Sequence, residues 1–312
     1  MPRATSQSGG SERHQHQGLR FLKQHGQHIL KNPLVIQNII EKAGIKPTDT
    51  VLEIGPGTGN MTVQLLKRAK KVIAVEIDPR MVVELQKRVQ GTPELEKKLQ
   101  IIHGDILKVK LPFFHLCIAN VPYQISSGIV FKLLAHRPAF RCSYLMFQRE
   151  FAMRLVAQPN TPFYCRLSAN SQLLAKCDHI MKVHKNSFRP PPKVDSSIVR
   201  LEPFHPPPAV NFTEWDGLSK IVFGRKNKKM RGMFTAKKTL ESFVENYKTY
   251  CALKNEKMHP EFEGNPTEWM KSTVVEVLEK TELSEMRAKA ISNHDLLKLL
   301  ANFNQAGVHF TA

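Results

Sequence analysis

From residue 50 to about residue 150, short β-branched runs alternate with longer stretches of helical periodicity. The runs "TVLEIG", "KVIAVEI", "LQIIHGD", "LCIANV" and "SYLMFQ" are strand-like in length and composition, whereas "PRMVVELQKRVQ" between two of them repeats its apolar residues at helical spacing. Strands separated by helices do not close as hairpins. They run parallel, and each crossover helix covers a face of the sheet. The pattern predicts an α/β fold built on a doubly wound, mostly parallel sheet buried on both sides.

Two later runs, "DHIMKVHKNSF" and "SSIVRLEP", are joined by the proline-rich "RPPPKVD" and predict a hairpin at the sheet edge, where a missing N–H does least harm. The doubly wound body is expected over residues 21–203. "FHPPPAVN", residues 204–211, reads as a linker, because consecutive prolines cannot continue a strand. Over 212–312 the strands give way to helices such as "EWMKSTVVEVLEKT" and "HDLLKLLANFN", which predict a small α-helical domain. Residues 1–20 are polar and rich in Gly, Ser and Gln, and lack the apolar segment of a secretory signal. They read as a disordered basic arm; a mitochondrial presequence is the alternative, opposed by Pro2 and the missing hydrophobic face.

Lys and Arg number 46 against 27 Asp and Glu, giving a formal charge of +19 and a pI near 9.8. Such a surplus attracts polyanions, and nucleic acid is the expected partner. Apolar runs such as "STVVEVL" are broken by charge well short of the roughly 20 residues that span a bilayer, so no membrane segment is expected. The five cysteines are odd in number and lack C-x-x-C spacing, which argues against a disulfide framework or zinc site and for a reducing compartment. His14, His16, His25 and His28 cluster without Cys or carboxylate partners, so no metal site is expected.

"VLEIGPGTGN" sets Gly55, Gly57 and Gly59 directly after the first of these strands, where glycine allows a tight turn and close approach of a ligand to the backbone. Glu76 ends the next strand and can accept hydrogen bonds from both hydroxyls of a ribose. Asp105 follows "LQIIHG", well placed for an adenine amino group. Carboxylates at successive strand ends beside a glycine turn describe an adenosine site. NAD and S-adenosylmethionine both fit it. The G-x-G-x-G spacing departs from the dinucleotide pattern, and the acidic Glu53 suits a cationic sulfonium and amino group.

"CIANVPYQIS" then places Asn120, Pro122 and Tyr123 at the end of the fourth strand, beside the same crevice. An adenine N6 lone pair is delocalised into the ring, so methylating it calls for acceptors that draw both amino hydrogens out of plane. The Asn120 side chain offers one carbonyl oxygen and the carbonyl before Pro122 a second, while the proline fixes the loop and Tyr123 can stack on an extruded base. An Asn-Pro turn that merely closes a strand is the bland alternative.

In order, "GQHILKNP", "EIGPGTGNMT", "VEIDPR", "GDIL", "NVPYQISS", "LMFQREFAMRL" and "FRPPPKVDSSIVRLEP" resemble the ribosomal RNA adenine dimethyltransferase family over about residues 21–203. The segment "FGRKNKKMRGMF" and the final "GVHF" are similar to its eukaryotic, dimethyladenosine transferase 1-like branch. The resemblance implies a Rossmann-like class I methyltransferase fold with S-adenosylmethionine as cofactor. It further implies N6,N6-dimethylation of two adjacent adenosines in the 3′-terminal hairpin loop of small-subunit (18S) rRNA, with a role in small-subunit biogenesis. A pre-ribosomal particle as partner, a monomeric state and a nuclear, nucleolar location belong to the same expectation. Carried over by position, the cofactor residues are Gln27, His28, Leu30, Gly55, Gly57, Glu76, Asp105 and Asn120, and Phe188 faces the target base opposite Tyr123. The family has Leu where this chain has Val121, which keeps an apolar side chain in the loop. Five cations in "GRKNKKMR", Gly224 to Arg231, are expected to meet phosphates. The alternatives are a non-catalytic assembly factor or mitochondrial transcription factor on this fold and, more remotely, a nicotinamide-dependent dehydrogenase.

Overall fold

The computed structural model describes residues 28–310, together with the backbone of two short paired segments, Gln15–His16 (β1) and Leu19–Arg20 (β2). Gln27 lies outside the described residues, as does the expected N-terminal arm over 1–20 apart from those two segments. The elements then run β3 (Ile29–Leu30), α1 (Pro33–Ala43), β4 (Thr50–Ile54), α2 (Thr62–Leu66), β5 (Lys71–Glu76), α3 (Pro79–Val89), α4 (Pro93–Lys98), β6 (Leu99–His103), β7 (Leu116–Asn120), α5 (Ser126–Ala135) and β8 (Cys142–Gln148). They continue with α6 (Arg149–Val156), α7 (Arg166–Leu174), β9 (Ala175–Val183), β10 (Phe188–Arg189) and β11 (Ser196–Pro203). No strand follows. Helices α8 (Phe212–Gly224), α9 (Met230–Phe234), α10 (Lys237–Lys254), α11 (Pro260–Gly264), α12 (Pro266–Lys280) and α13 (Asn293–Gln305) complete the chain.

Seven strands form one sheet in the order β6-β5-β4-β7-β8-β11-β9. Strand β4 is parallel to both β5 and β7, and β5 is parallel to β6. Burial follows from position. The central strands are apolar without alternation and buried on both faces, as parallel strands covered by helices must be. The edge strand β6 is only partly covered. The two runs expected to pair as an edge hairpin, now β9 and β11, are neighbours at the other edge. Their proline-rich connection does more than turn: it carries β10, which pairs antiparallel with β3 in the register Phe188↔Leu30 and Arg189↔Ile29.

Local chemistry sets the helix starts around the site. Asn32 caps α1 by accepting from Leu34 N, Pro33 takes the first helical position, and Gly44 ends the helix at φ 56°. Asp78 caps α3 ahead of Pro79 in the same manner, and Met81, Leu85 and Val89 bury one stripe of that helix at four-residue spacing.

The described residues fall into two compact units, one made of the chain up to Ile129 with Tyr144–Gln148 and Lys182–Ile198, the other of Val130–Ser143, Arg149–Met181 and the chain from Val199. Within the second, one apolar core unites Trp215, Leu218, Phe234, Phe243 and Phe303 of the late helices with Tyr164, Ala169 and Leu173, which precede the proline-rich stretch. The sequence places a domain boundary at 204–211. In the structure that stretch marks where strands stop, and it does not separate two hydrophobic cores. Tyr164 Oη donates to the carbonyl of Ile291 (2.8 Å) and Trp215 Nε1 to Asn170 Oδ1 (3.0 Å), so these large aromatics are buried with their polar ends satisfied.

The end of the described chain is anchored to α8. Phe310 N donates to the buried Glu214 (2.9 Å), and a Cβ on Gly217 would stand 2.6 Å from Phe310 Cβ and 3.0 Å from its carbonyl oxygen. Neither neighbour is a flexible side-chain end that could give way. Gly217→Ala is therefore expected to destabilise the fold by about 1–3 kcal/mol through overpacking. Gly232→Ala, on α9 with nothing within 4 Å of its Cβ, is expected to gain about 0.4–1 kcal/mol. Denaturant midpoints of the two variants check both signs.

Candidate active site

Because β4, β5 and β7 are parallel, their carboxyl ends emerge at one edge of the sheet, with the loop after β6 beside them. A cleft opens there, lined among others by His28, Leu30, Gly55, Glu76, Asp105 and Tyr123. Parallel pairing thus brings Gly55, Glu76, Asp105 and Tyr123 together, and it is the same edge at which open α/β sheets bind ligands.

The glycine turn follows β4. Gly55, Gly57 and Gly59 adopt φ of 67°, 55° and 79°, the left-handed region that side chains resist. A Cβ on Gly59 would also stand 2.7 Å from Leu85 Cδ1 of α3, so that side-chain end would have to shift. Glu76 at the end of β5 holds the turn in place: its Oε2 accepts from Gly57 N (3.2 Å), and its Oε1 from Ile77 N (3.0 Å) and Asp78 N (2.9 Å). Burial raises the pKa of Glu76, and these three backbone hydrogen bonds, which favour the carboxylate, oppose the rise. Asp105 accepts from Leu107 N (2.9 Å) and so shapes its own loop.

Glu53 contrasts with Glu76. It is 1% exposed, and neither carboxyl oxygen has a hydrogen-bond partner among the described residues. Burial pushes its pKa up to about 8, with the nearby hydroxyl of Thr62 opposing and the charge of Glu76 reinforcing the rise. Thr62 Oγ1 likewise has no hydrogen-bond partner among the described residues. An unpaired carboxyl lining a cleft is matched by a cationic ligand and is ill suited to a diphosphate. The sulfonium and amino groups of S-adenosylmethionine fit this donor set.

Asn120 closes β7. Its Nδ2 donates to the carbonyl of His28 at 2.7 Å, which fixes the amide so that Oδ1 is the end left to accept. The next residue, Val121, is buried and donates its N–H to Met146 O (3.2 Å) on β8. The Pro122 carbonyl accepts from Ile125 N (3.2 Å), which closes the turn that follows. Tyr123 is half-buried in a 3₁₀ turn, its ring centroid 5.9 Å from that of His28 and the two planes 26° apart.

Of the sequence-predicted residues, His28, Leu30, Gly55, Gly57, Glu76, Asp105, Asn120, Pro122 and Tyr123 all line this one cleft. Gln27 lies outside the described residues. Phe188 is 1% exposed in β10, paired with Leu30, and is not among the lining residues. Sequence reasoning passed over Asn60, whose Nδ2 donates to Leu30 O (3.1 Å), and Ile77 and Ile106, apolar walls beside Glu76 and Asp105. Ile77 carried a signal: a large apolar residue directly after a site carboxylate, 46% exposed here, suits the flat face of a base.

A model of the ribosomal RNA adenine dimethylase family matches residues 18–263. A probable dimethyladenosine transferase of Drosophila melanogaster is 60% identical over 296 residues, covering 95% of this chain and 94% of that protein. The dimethyladenosine transferase of Saccharomyces cerevisiae is 51% identical, covering 98% and 96%. A ribosomal RNA small subunit methyltransferase of Arabidopsis thaliana is 47% identical, covering 99% and 97%. Among solved structures, a dimethyladenosine transferase from Plasmodium falciparum superposes with a TM-score of 0.82 at 43% identity, covering 91% of this chain and all of that one. The 23S rRNA methyltransferase ErmE, at 23% identity and a TM-score of 0.63, shares the Rossmann-like methyltransferase fold. With matches of this extent and a cleft suited to a cationic cofactor, the chain belongs to the ribosomal RNA adenine dimethylase family, as an S-adenosylmethionine-dependent rRNA (adenine-N6,N6)-dimethyltransferase.

Proposed function

We propose that this enzyme dimethylates two adjacent adenosines in the 3′-terminal hairpin loop of 18S rRNA, acting as a monomer on a pre-ribosomal particle in the nucleus and nucleolus, and that it also serves small-subunit assembly. The observation that carries the adenine chemistry is the Asn120 amide, turned by its bond to the His28 carbonyl so that an acceptor remains beside Tyr123. The small-subunit target is supported by the name of the Arabidopsis relative.

When bound, S-adenosylmethionine supplies an electrophilic methyl group on sulfur. The chain's own residues do the rest. Asn120 Oδ1 and the Val121 carbonyl accept the two N6 hydrogens and localise the nitrogen lone pair, Pro122 holds these acceptors in register, and Tyr123 stacks on the base. No strong base is required, because the amine becomes acidic as its new bond forms. Glu76 takes the ribose hydroxyls, Asp105 the adenine amino group of the cofactor, and His28, Leu30, Gly55 and Gly57 close around it; Gln27 is proposed to join them. We assign residues 1–20 to a basic arm, 21–203 to the methyltransferase domain and the helices of 212–312, which share their core with α7 across the 204–211 linker, to RNA and ribosome binding. There "GRKNKKMR" contributes a salt-sensitive phosphate contact.

The decisive test is transfer of labelled methyl groups to small-subunit rRNA or its precursor particle, with the product nucleosides mapped by mass spectrometry. Asn120→Ala is expected to lower the methylation rate by about 100-fold or more, the scale of removing one preorganised partner of the transition state. Label at scattered adenosines, or in the large subunit, would overturn the assigned target.

Glu76→Ala leaves the N–H groups of Gly57, Ile77 and Asp78 without their acceptor. It is expected to weaken cofactor binding by about 10- to 100-fold, corresponding to about 1–3 kcal/mol, as measured by calorimetric titration. Glu53 supplies a pH dependence. Its folded pKa, about 8, lies above the ordinary value of 4.5, so the fold binds the extra proton between those limits and loses stability as pH rises through them. Ligand-free Glu53→Gln is expected to gain in melting temperature over the parent as pH rises from 5 to 8, and to level off above; a constant difference would remove Glu53 as the cause.

A further inference from the structure

Ser196 is fully buried at the start of β11 and lines no part of the cleft, yet its Oγ lies 2.7 Å from the phenolic oxygen of Tyr123, 73 residues earlier in the chain. In "SSIVRLEP" it reads as an ordinary inward-facing strand residue. A half-buried tyrosine beside an open cleft is free to swing unless both ends of its ring are held. Here both are. Ser196 holds the hydroxyl, and the His28 imidazole flanks the ring at 5.9 Å. His28 is itself fixed, since Nδ1 lies 2.8 Å from the Pro190 carbonyl; a carbonyl only accepts, so Nδ1 carries the hydrogen. Pro190 directly follows β10 and Ser196 opens β11, and the same His28 turns the Asn120 amide through its own carbonyl.

Such a clamp matters most for the second of two methyl transfers to one nitrogen. In each transfer N6 forms a bond to the methyl carbon as the carbon–sulfur bond of the sulfonium breaks, its electron pair staying on sulfur, and one N6 proton leaves to solvent. Before the first transfer, N6 offers two hydrogens to Asn120 Oδ1 and the Val121 carbonyl. Afterwards it offers one. The hydrogen-bonded grip on the base falls by half while the stacking grip is unchanged, and an aromatic platform that is already ordered loses no further freedom in holding the base.

We propose that Ser196 is a positioning residue which, by holding Tyr123 through its hydroxyl, retains the monomethylated adenosine and so sets the yield of the second methylation. The inference rests on the reading that Tyr123 stacks on the target base. Burial raises the Tyr123 pKa, and the Ser196 bond opposes the rise only in part, so the phenol keeps its proton and the link between the two hydroxyls persists through neutral pH.

The test follows the ratio of N6,N6-dimethyladenosine to N6-methyladenosine in single-turnover reactions on small-subunit particles, by mass spectrometry of the nucleosides, with cofactor affinity measured alongside. Ser196→Ala and Tyr123→Phe are each expected to lower that ratio by about three- to tenfold, the scale of one buried hydrogen bond, with cofactor affinity unchanged. The double variant is expected to be no worse than either single one, because both remove the same bond. Tyr123→Phe deletes a single oxygen and carries the test by itself should Ser196→Ala fail to fold. An unaltered ratio in Tyr123→Phe, or additive losses in the double variant, would overturn the proposal. Tyr123→Ala separates it from the reading beneath: if that variant still completes both methylations, the base-stacking role of Tyr123 is what fails.

Discussion

Parallel pairing of β4 with its neighbours β5 and β7 is the constraint on which the site depends. In a parallel sheet every strand delivers its last residue to the same edge, so Glu76 and Asn120 and the turn after Ile54 are brought together without any of them attracting another. The loops are then tied back to that edge by the backbone itself: Gly55 N donates to Val75 O (2.9 Å) and Gly104 N to Glu76 O (2.8 Å). Shifting one strand by a residue would turn its site side chain to the other face of the sheet. The apolar cores of these strands, buried on both sides, oppose that slip.

Within this frame two buried glutamates receive opposite treatment. Glu76 is surrounded by backbone N–H groups that act as fixed donors and favour its charge; Glu53, one strand away, has none. The first therefore works as a structural acceptor that also presents lone pairs to a ligand. The second is a latent charge, unfavourable when buried alone and stabilised when a cation arrives. An active site that binds a cationic cofactor gains affinity from the second arrangement at some expense in stability of the ligand-free fold, a trade that P-loop-like phosphate sites make with the sign reversed.

The catalytic loop owes its geometry to a distant piece of chain. Nothing within "NVPYQIS" holds the Asn120 amide or the Tyr123 ring; the His28 carbonyl and ring, the Pro190 carbonyl and the Ser196 hydroxyl do. The β3–β10 pair is the scaffold that brings these groups to the loop, and the burial of Phe188 is part of that scaffold's packing.

The sequence by itself determined the sheet class, the glycine turn, the three strand-end carboxylates and the NVPY loop, because each depends on periodicity or on residue chemistry at short range: glycine for positive φ, branched apolar runs for buried strands, a carboxamide that cannot be protonated. It also marked where strands cease, at Pro203. Tertiary structure alone decided which end of Asn120 accepts, that Glu53 is unpaired while Glu76 is satisfied, that Phe188 is buried beside Leu30, and that the helices beyond residue 212 share a core with α7. These are contacts between residues tens to more than a hundred positions apart, and a buried strand residue such as Ser196 carries no local mark of the partner it will meet. Local preference fixes what each segment becomes; pairing and packing across the chain fix what each side chain touches, and reactivity is set by the second.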